Sequence, residues 1–239
     1  MNIFKSKVPH IKFFTAFGAP NVAQLSQVRL ASDVDVQPKW VRDQRSYSDN
    51  KNKFLNCPGM ADWMKTGYII PAWTTIKIRA NRADTMVIME HGYTPPPVPM
   101  NDKLVTGLFK PEADVKFKVT KITCPWGIIT KSGWSAHVIP AAFHSPFLQD
   151  LYVYPGTVDY DKFHTCNFIF SAMRPCDIEI PAGTPLLQVI PFQREDIVAV
   201  CEKGQIKDLD ALNFGYPAKL RAAYRKFFHQ RKNYTMEYK

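Results

Sequence analysis

The chain has few of the features that mark disulfide, zinc or membrane proteins. Its cysteines are odd in number and widely spaced, whereas zinc ribbons and disulfide-rich domains need closely paired ones. They are Cys57, Cys124, Cys166, Cys176 and Cys201. We therefore expect reduced thiols in a cytoplasm, although Cys166 and Cys176 could meet across a hairpin.

Long apolar runs are also missing. The first seventeen residues carry three lysines and contain no apolar stretch long enough for a signal-peptide core, and no later run approaches the length of a membrane span. Glycine is scarce, with 11 residues against 19 prolines, which favours short strands and stiff loops over a helical bundle. A hydrophobic content of 46% is ample for a core, so we expect a soluble intracellular protein.

Positive charge is concentrated at the end of the chain. The net charge is +10, and the residues from Pro217 to Lys239 hold seven basic side chains and one acid. Leu220, Tyr224 and Phe227 recur there at helical spacing, which predicts a basic helical tail. Such a tail favours an acidic partner, whether nucleic acid, an anionic surface or another protein. The predicted contact residues are Arg221, Arg225, Lys226, Arg231 and Lys232.

Strand patterns dominate the middle of the chain. Runs rich in β-branched and aromatic residues predict strands at Tyr68–Trp73, Thr75–Arg79, Thr85–Glu90, Asp114–Ile122, Gly127–Thr130, Ser135–Ile139, Leu151–Tyr154, Cys166–Ser171, Leu186–Phe192 and Ile197–Cys201. Arg42–Lys53 is highly charged and predicts a solvated loop. The chain is thus predicted to have an N-terminal arm (1–56), a β-rich domain (57–204) and a basic helical tail (205–239).

Metal-binding spacing is not found. His137, His144, His164 and Cys166 could converge in space, but no two of them have the spacing of a metal-ligand pair. We predict no metal site and no cofactor.

Two glycine turns carry the most specific pattern. Gly156 begins Gly-Thr-Val-Asp-Tyr-Asp-Lys-Phe, and Gly183 precedes Thr-Pro-Leu-Leu-Gln-Val-Ile-Pro-Phe. In order and interval these segments resemble the third and fourth motifs of the dUTPase and dCTP-deaminase superfamily. The resemblance covers roughly Thr130 to Cys201. It implies a dUTPase-like β-clip core, and a homo-oligomer, since that fold typically forms trimers with pockets between subunits.

The resemblance also implies functional residues. Asp159 would orient the attacking water, because a carboxylate fixed at a turn can act as a general base. Lys131-Ser132-Gly133 is similar to the family's second motif, with lysine in place of arginine, and would contact a phosphate through a hydroxyl and backbone amides. The ligand-binding positions implied in this way are Lys131, Ser132, Gly133, Phe163 and Gln188.

Two parts of the family pattern are missing. No segment matches the first motif, whose aspartate helps to hold magnesium, and the glycine-rich final arm that closes over the triphosphate is replaced by the basic tail. A triphosphate without this anchor and lid would be poorly oriented. An equally open interpretation is that Asp159 and Asp161 are turn-capping carboxylates and Gln188 is an ordinary strand residue.

A second resemblance concerns an uncharacterised family found in bacteriophages. It is carried by Cys57–Trp63, Pro125-Trp126, Gly156–Asp159 and Gln188–Glu195, the last reading Gln-Val-Ile-Pro-Phe-x-Arg-Glu. This resemblance implies a phage protein but does not imply any particular activity.

Three functions stay open. The leading one is a phage protein that uses a dUTPase-like fold as a binding or assembly module, for instance as a virion structural component, in the host cytoplasm or the virion. The first alternative is a nucleoside triphosphate pyrophosphatase that uses magnesium. The second is a host-directed regulator that binds nucleic acid or a host protein through the tail. No membrane partner is expected.

Overall fold

The computed structural model describes residues 9–15, 27–46, 57–89, 98–99, 118–141, 143–205, 230 and 232–238. Two α-helices lie in this part of the chain, α1 (Lys39–Ser46) and α2 (Pro58–Trp63), together with a 3-10 helix at Pro146–Asp150. The strands are β1 (Ile11–Thr15), β2 (Arg29–Leu30), β3 (Tyr68–Pro71), β4 (Ile76–Ala80), β5 (Thr85–Met89), β6 (Val98–Pro99), β7 (Thr120–Thr130), β8 (Trp134–Pro140), β9 (Leu151–Val153), β10 (Gly156–Val158), β11 (Thr165–Ala172), β12 (Cys176–Ile180) and β13 (Pro185–Gln193).

Three antiparallel sheets organise these strands. The first has the order β1-β7-β11-β9, with β6 also pairing with β7, and the second has the order β10-β8-β13-β3-β2. The third is the three-stranded sheet β12-β4-β5. The mainly-β prediction is therefore confirmed.

The larger of two buried apolar clusters in the described chain draws residues from the sheets. Ile122, Ile128 and Phe168 come from the first sheet, Ile70 and Val189 from the second, and each of these side chains is buried. Four successive residues of β13, from Leu186 to Val189, are buried because this strand lies between β8 and β3 and is covered on both faces. The order of the second sheet places the end of β13 beside the start of β8.

The described parts of both chain ends pack on this β structure. Residues Ile11–Thr15 pair with β7 as a sheet edge, and Arg29–Leu30 pair with β3. Near the other end, Tyr68 donates its hydroxyl to the carbonyl oxygen of Thr235 at 3.1 Å. Lys232 forms an ion pair with Asp62 at 2.6 Å. The division into arm, domain and tail stays a prediction.

Several local expectations need correction. Arg42–Lys53 was expected to be a loop, but α1 extends from Lys39 to Ser46; residues 47–53 lie outside the described part. Ile197–Cys201 forms no strand, although its composition is strand-like, because no partner strand lies beside it in the described chain. Residues 232–238 have no helical structure. The other basic residues predicted to contact a partner, at positions 221, 225, 226 and 231, lie outside the described residues.

Candidate functional site

Two tight turns bring the predicted site residues close to one another. The first turn joins β7 to β8, where Gly133 has a φ of +79° and the amide of Trp134 donates to the carbonyl oxygen of Lys131 at 3.0 Å. Positive φ favours glycine because it has no Cβ. In the second turn, after β10, the amides of Lys162 and Phe163 donate to the carbonyl oxygen of Asp159 at 2.9 and 3.0 Å.

Asp161 links these two turns. One of its carboxylate oxygens accepts a hydrogen bond from the backbone amide of Gly133 at 3.0 Å. That amide is one of the groups that the dUTPase resemblance assigns to a phosphate. A carboxylate of the protein thus occupies one of the donors predicted to contact a phosphate.

Arg194, the residue after β13, holds the carboxylates of both aspartates. Its guanidinium forms a two-pronged pair with Asp161, with Nη1 donating to Oδ1 at 3.0 Å and Nη2 donating to Oδ2. The same Nη1 lies 3.2 Å from Oδ1 of Asp159. The planar guanidinium suits this geometry, since its donors match the two oxygens of a carboxylate. We call Arg194, Asp159, Asp161 and Ser135 the Arg194 clasp.

Ser135 is the fourth member of the clasp, and the sequence analysis did not identify it. Its buried hydroxyl donates to Oδ1 of Asp159 at 2.6 Å and accepts a hydrogen bond from Nη1 of Arg194 at 2.9 Å. Ser132, the hydroxyl predicted to contact ligand, is exposed in the β7–β8 turn together with Lys131, and its ligand contact stays a prediction. The hydroxyl that meets Asp159 is therefore three positions further along the chain.

These contacts keep both carboxylates ionised. The hydrogen bonds from Arg194 and from the Gly133 amide lower the pKa of Asp161 from 3.8 to about 2. The hydrogen bond from Ser135, assisted by Arg194, lowers the pKa of Asp159. A general base is most effective when its pKa lies near the working pH. The pKa of each carboxylate is lowered away from that range, as expected for groups in a structural ion pair.

Gln188 does not take part in this cluster. It is buried, and its amide nitrogen donates to the carbonyl oxygens of Trp63 at 3.0 Å and Thr66 at 2.6 Å. In the β13–β8 pairing, Ser135 lies opposite Phe192. Gln188 is four positions earlier on β13, which places it ~13 Å along the strand from the clasp. Its contacts attach α2 and the following turn to the sheet.

Phe163 lies in the second turn itself, and its side chain is exposed. The three histidines considered for a metal each have a separate partner: His137 the hydroxyl of Thr157, His144 the carbonyl oxygen of Val36, and His164 the carbonyl oxygens of Ile128 and Tyr160. In the described part of the chain, no three His, Cys, Asp or Glu side chains come together as metal ligands would.

Comparison with known proteins adds little beyond this geometry. No family model and no curated protein matches the sequence. Among solved structures, the chain is similar to a dUTPase of Staphylococcus bacteriophage 80alpha, with 9% sequence identity and a TM-score of 0.32 over 75% of this chain and 97% of that one. A likeness of this size supports no inference about activity. Within the described residues, no helix is long and apolar enough to cross a membrane.

Proposed function

We propose that the chain is a phage protein that uses its β fold as a binding and assembly module and associates with further copies of itself. The phage origin rests on the sequence resemblance described above, and one structural observation supports the assembly role. The segment after β13, residues 194–205, has no helix or strand, and its β-branched side chains Ile197, Val198 and Val200 are 89%, 87% and 74% exposed.

Such a segment is costly to leave in water. These three large apolar side chains lie within four residues, and we call them the apolar patch; exposed apolar clusters on a protein surface mark sites of association. β-Branched residues favour extended backbone, and no strand in the described part of the chain pairs with residues 195–205, so their N–H and C=O groups can pair with a partner strand. A second copy of the chain that covers this segment would bury the patch and complete its hydrogen bonds.

The Arg194 clasp gives this segment a fixed starting point. The amide of Arg194 donates to the carbonyl oxygen of Gly133 at 2.8 Å, while its side chain is held by the two aspartates. The apolar patch begins three residues later at Ile197. A segment that leaves a rigid base in a defined direction loses less conformational entropy when it docks on a partner.

The experiment is a measurement of molar mass in solution, by light scattering or sedimentation equilibrium. We expect the full chain to be a homo-oligomer, with a trimer as the specific expectation, and the double variant Ile197→Asp, Val198→Asp to be a monomer. Val34→Asp is the matched control, because Val34 is also an exposed apolar residue at 58% but lies far from this segment in the sequence. A native chain that is monomeric at every concentration would contradict the proposal, and detection of the protein in purified virions would support its structural role.

One observation favours the nucleotide pyrophosphatase as a second candidate. The side chain of Asp159 is 56% exposed despite its contacts, so a bound water could still reach it. The test is incubation of the protein with a panel of deoxynucleoside triphosphates and magnesium. Turnover that disappears in Asp159→Ala would establish the hydrolase and overturn our preference.

A further inference from the structure

A cavity opens on the second sheet, where β3 ends and both β2 and β13 begin. Ile69 and Pro71 of β3 form its floor, because residues two positions apart on a strand point to the same face of the sheet. Their cross-strand partners also line the cavity: Arg29 of β2 lies opposite Ile69, and Pro185 of β13 lies opposite Pro71. The register of three strands therefore places one guanidinium group beside an apolar floor.

The turn between β12 and β13 forms one wall of the cavity. Its lining residues are Ala182, Gly183 and Thr184. The amide of Gly183 donates to the carbonyl oxygen of Ala72, and the amide of Ala72 donates to the carbonyl oxygen of Thr184, both at 2.7 Å. Because these bonds attach the turn to the residue after β3, the wall keeps its position relative to the floor.

A second wall, formed by Asp35 and Val36, comes from the turns that follow β2. The carbonyl oxygen of Val36 accepts a hydrogen bond from Nδ1 of the buried His144 at 3.2 Å. The buried side-chain amide of Gln37 donates to the carbonyl oxygen of Met64 at 3.0 Å. Buried side chains thus hold this wall in place, so the cavity is formed before a ligand binds, as most small-molecule sites are.

The size and the charges of the cavity suit a small zwitterion. Its volume is about 320 Å³, at the lower end of the range of roughly 300–1,000 Å³ for small-molecule sites. Nη1 of Arg29 lies 3.7 Å from Oδ2 of Asp35, and the two side chains are 34% and 82% exposed. This distance is longer than a hydrogen bond, and an exposed ion pair contributes little stability. A ligand can therefore bind both charged groups without breaking a strong contact.

We propose that this cavity binds a free α-amino acid with an apolar side chain. The planar guanidinium of Arg29 binds the carboxylate of the ligand, and the carboxylate of Asp35 accepts hydrogen bonds from its ammonium group. The apolar side chain of the ligand packs on Ile69 and Pro71. Both charged groups of an α-amino acid are bonded to one carbon, so they match two opposite charges of the protein that lie 3.7 Å apart.

A phosphorylated ligand fits this cavity less well, because the carboxylate of Asp35 would repel its phosphate. The inference goes beyond the proposed assembly role and does not depend on it, since the cavity lies on the first residues of β13 and the apolar patch follows the last ones.

The test is titration calorimetry of the native full chain at neutral pH, with L-leucine as the probe. We expect saturable binding. L-leucine amide lacks the carboxylate and N-acetyl-L-leucine lacks the ammonium group, so each should bind about tenfold more weakly, because a charged group of the protein loses its partner. Glycine has no side chain to cover the floor and should also bind more weakly. The absence of saturable L-leucine binding, or an equal affinity for either derivative, would refute the proposal.

Substitutions of the two charged residues test the assigned contacts. Arg29→Ala should weaken L-leucine binding about tenfold, and Arg29→Lys should recover only part of the loss, since lysine lacks the paired donors. Asp35→Asn should weaken the binding of L-leucine but not that of N-acetyl-L-leucine, which has no ammonium group. Arg79→Ala is the matched control: Arg79 also forms an exposed ion pair, but it lies in the third sheet, and its loss should leave the affinity unchanged.

Unchanged L-leucine affinity in Arg29→Ala would show that the cavity is not the binding site. If this variant fails to fold, the comparison of L-leucine with its amide and its N-acetyl derivative on the native chain decides the question.

Discussion

The guanidinium of Arg194 and the carboxylate of Asp161 form a two-pronged ion pair that connects the end of β13 to the turn after β10. Asp161 also accepts the Gly133 amide. Three segments that are distant in the sequence therefore meet at one carboxylate. This carboxylate takes the Gly133 amide, one of the donors that the dUTPase resemblance assigns to a phosphate, and its pair with Arg194 fixes the start of the exposed segment at residues 194–205.

Replacement of Arg194 by alanine is expected to lower the Tm by several degrees, because Asp161 is nearly buried and would lose its partner. Arg194→Lys should recover only part of the loss, since lysine keeps the charge but not the paired donors. Thermal unfolding followed by circular dichroism measures both. Arg79→Ala is the control: it removes an exposed pair with Asp177 and should change the Tm little. Equal shifts for the Arg194→Ala and Arg79→Ala variants would show that the clasp is not structural.

Acid should weaken the clasp over a defined range of pH. The pKa of Asp161 is depressed in the folded state from 3.8 to about 2. The stability that it contributes is therefore fully present above pH 3.8 and is lost as the pH falls from there through about 2. Urea unfolding at a series of pH values should show this loss. Asp161→Asn should be less stable at neutral pH and show a weaker dependence in the acid range; an unchanged acid slope in this variant would contradict the assignment.

Replacement of Gln188 tests whether its main role is to stabilise the fold or to bind a nucleotide. Gln188→Ala should lower the free energy of unfolding by about 2–4 kcal/mol, because the half-buried carbonyl oxygens of Trp63 and Thr66 lose their donor and the buried side chain leaves a cavity. Gln193→Ala, on the exposed end of the same strand, should change it by no more than about 0.5 kcal/mol. Denaturant unfolding measures both variants. If Gln188→Ala were as stable as the native chain and altered only nucleotide binding, the contacts with Trp63 and Thr66 would not be its main role.

Gly67 and Gly133 allow a comparison of the stability that is lost when a glycine with positive φ is replaced by alanine. Both have this conformation, with φ of +76° and +79°. A Cβ at Gly133 would meet no atom within 4 Å, so Gly133→Ala should cost only the backbone strain of about 1–2 kcal/mol. A Cβ at Gly67 would collide with the carbonyl oxygen of Val189, so Gly67→Ala should cost at least about 3 kcal/mol. Equal losses in urea unfolding would mean that the chain relaxes around Gly67 without a penalty.

Strand prediction succeeded where composition and burial agreed. Ser135–Ile139 and Leu186–Phe192 lie within β8 and β13, because β-branched and aromatic residues there also find a partner strand. Ile197–Cys201 has the same composition but no partner in the described chain, and it forms no strand. The short edge strand Gly156–Val158 was interpreted only as a turn, because three residues that begin with glycine carry no strand pattern.

The candidate site was predictable only in part. The aspartates after Gly156 and the turn at Gly133 were identified from local sequence. Arg194 lies in the Gln-Val-Ile-Pro-Phe-x-Arg-Glu pattern, but nothing in that pattern says which groups it contacts. Gln188 was assigned to a ligand by the resemblance to the fourth motif, with an ordinary strand role left open, and nothing in the sequence shows its contacts with the carbonyl oxygens of Trp63 and Thr66.

The sequence alone determined that the protein is mainly β, because alternation, β-branching and turn residues act within a few positions of one another. Only the tertiary structure decided what Asp159 and Asp161 contact. Their partners Ser135 and Arg194 are 24 and 33 positions away in the sequence, and the β13–β8 register brings these distant side chains within hydrogen-bond distance. The sequence shows that a carboxylate is present, but a carboxylate can bind water or an arginine. The strand pairing determines which partner lies within hydrogen-bond distance.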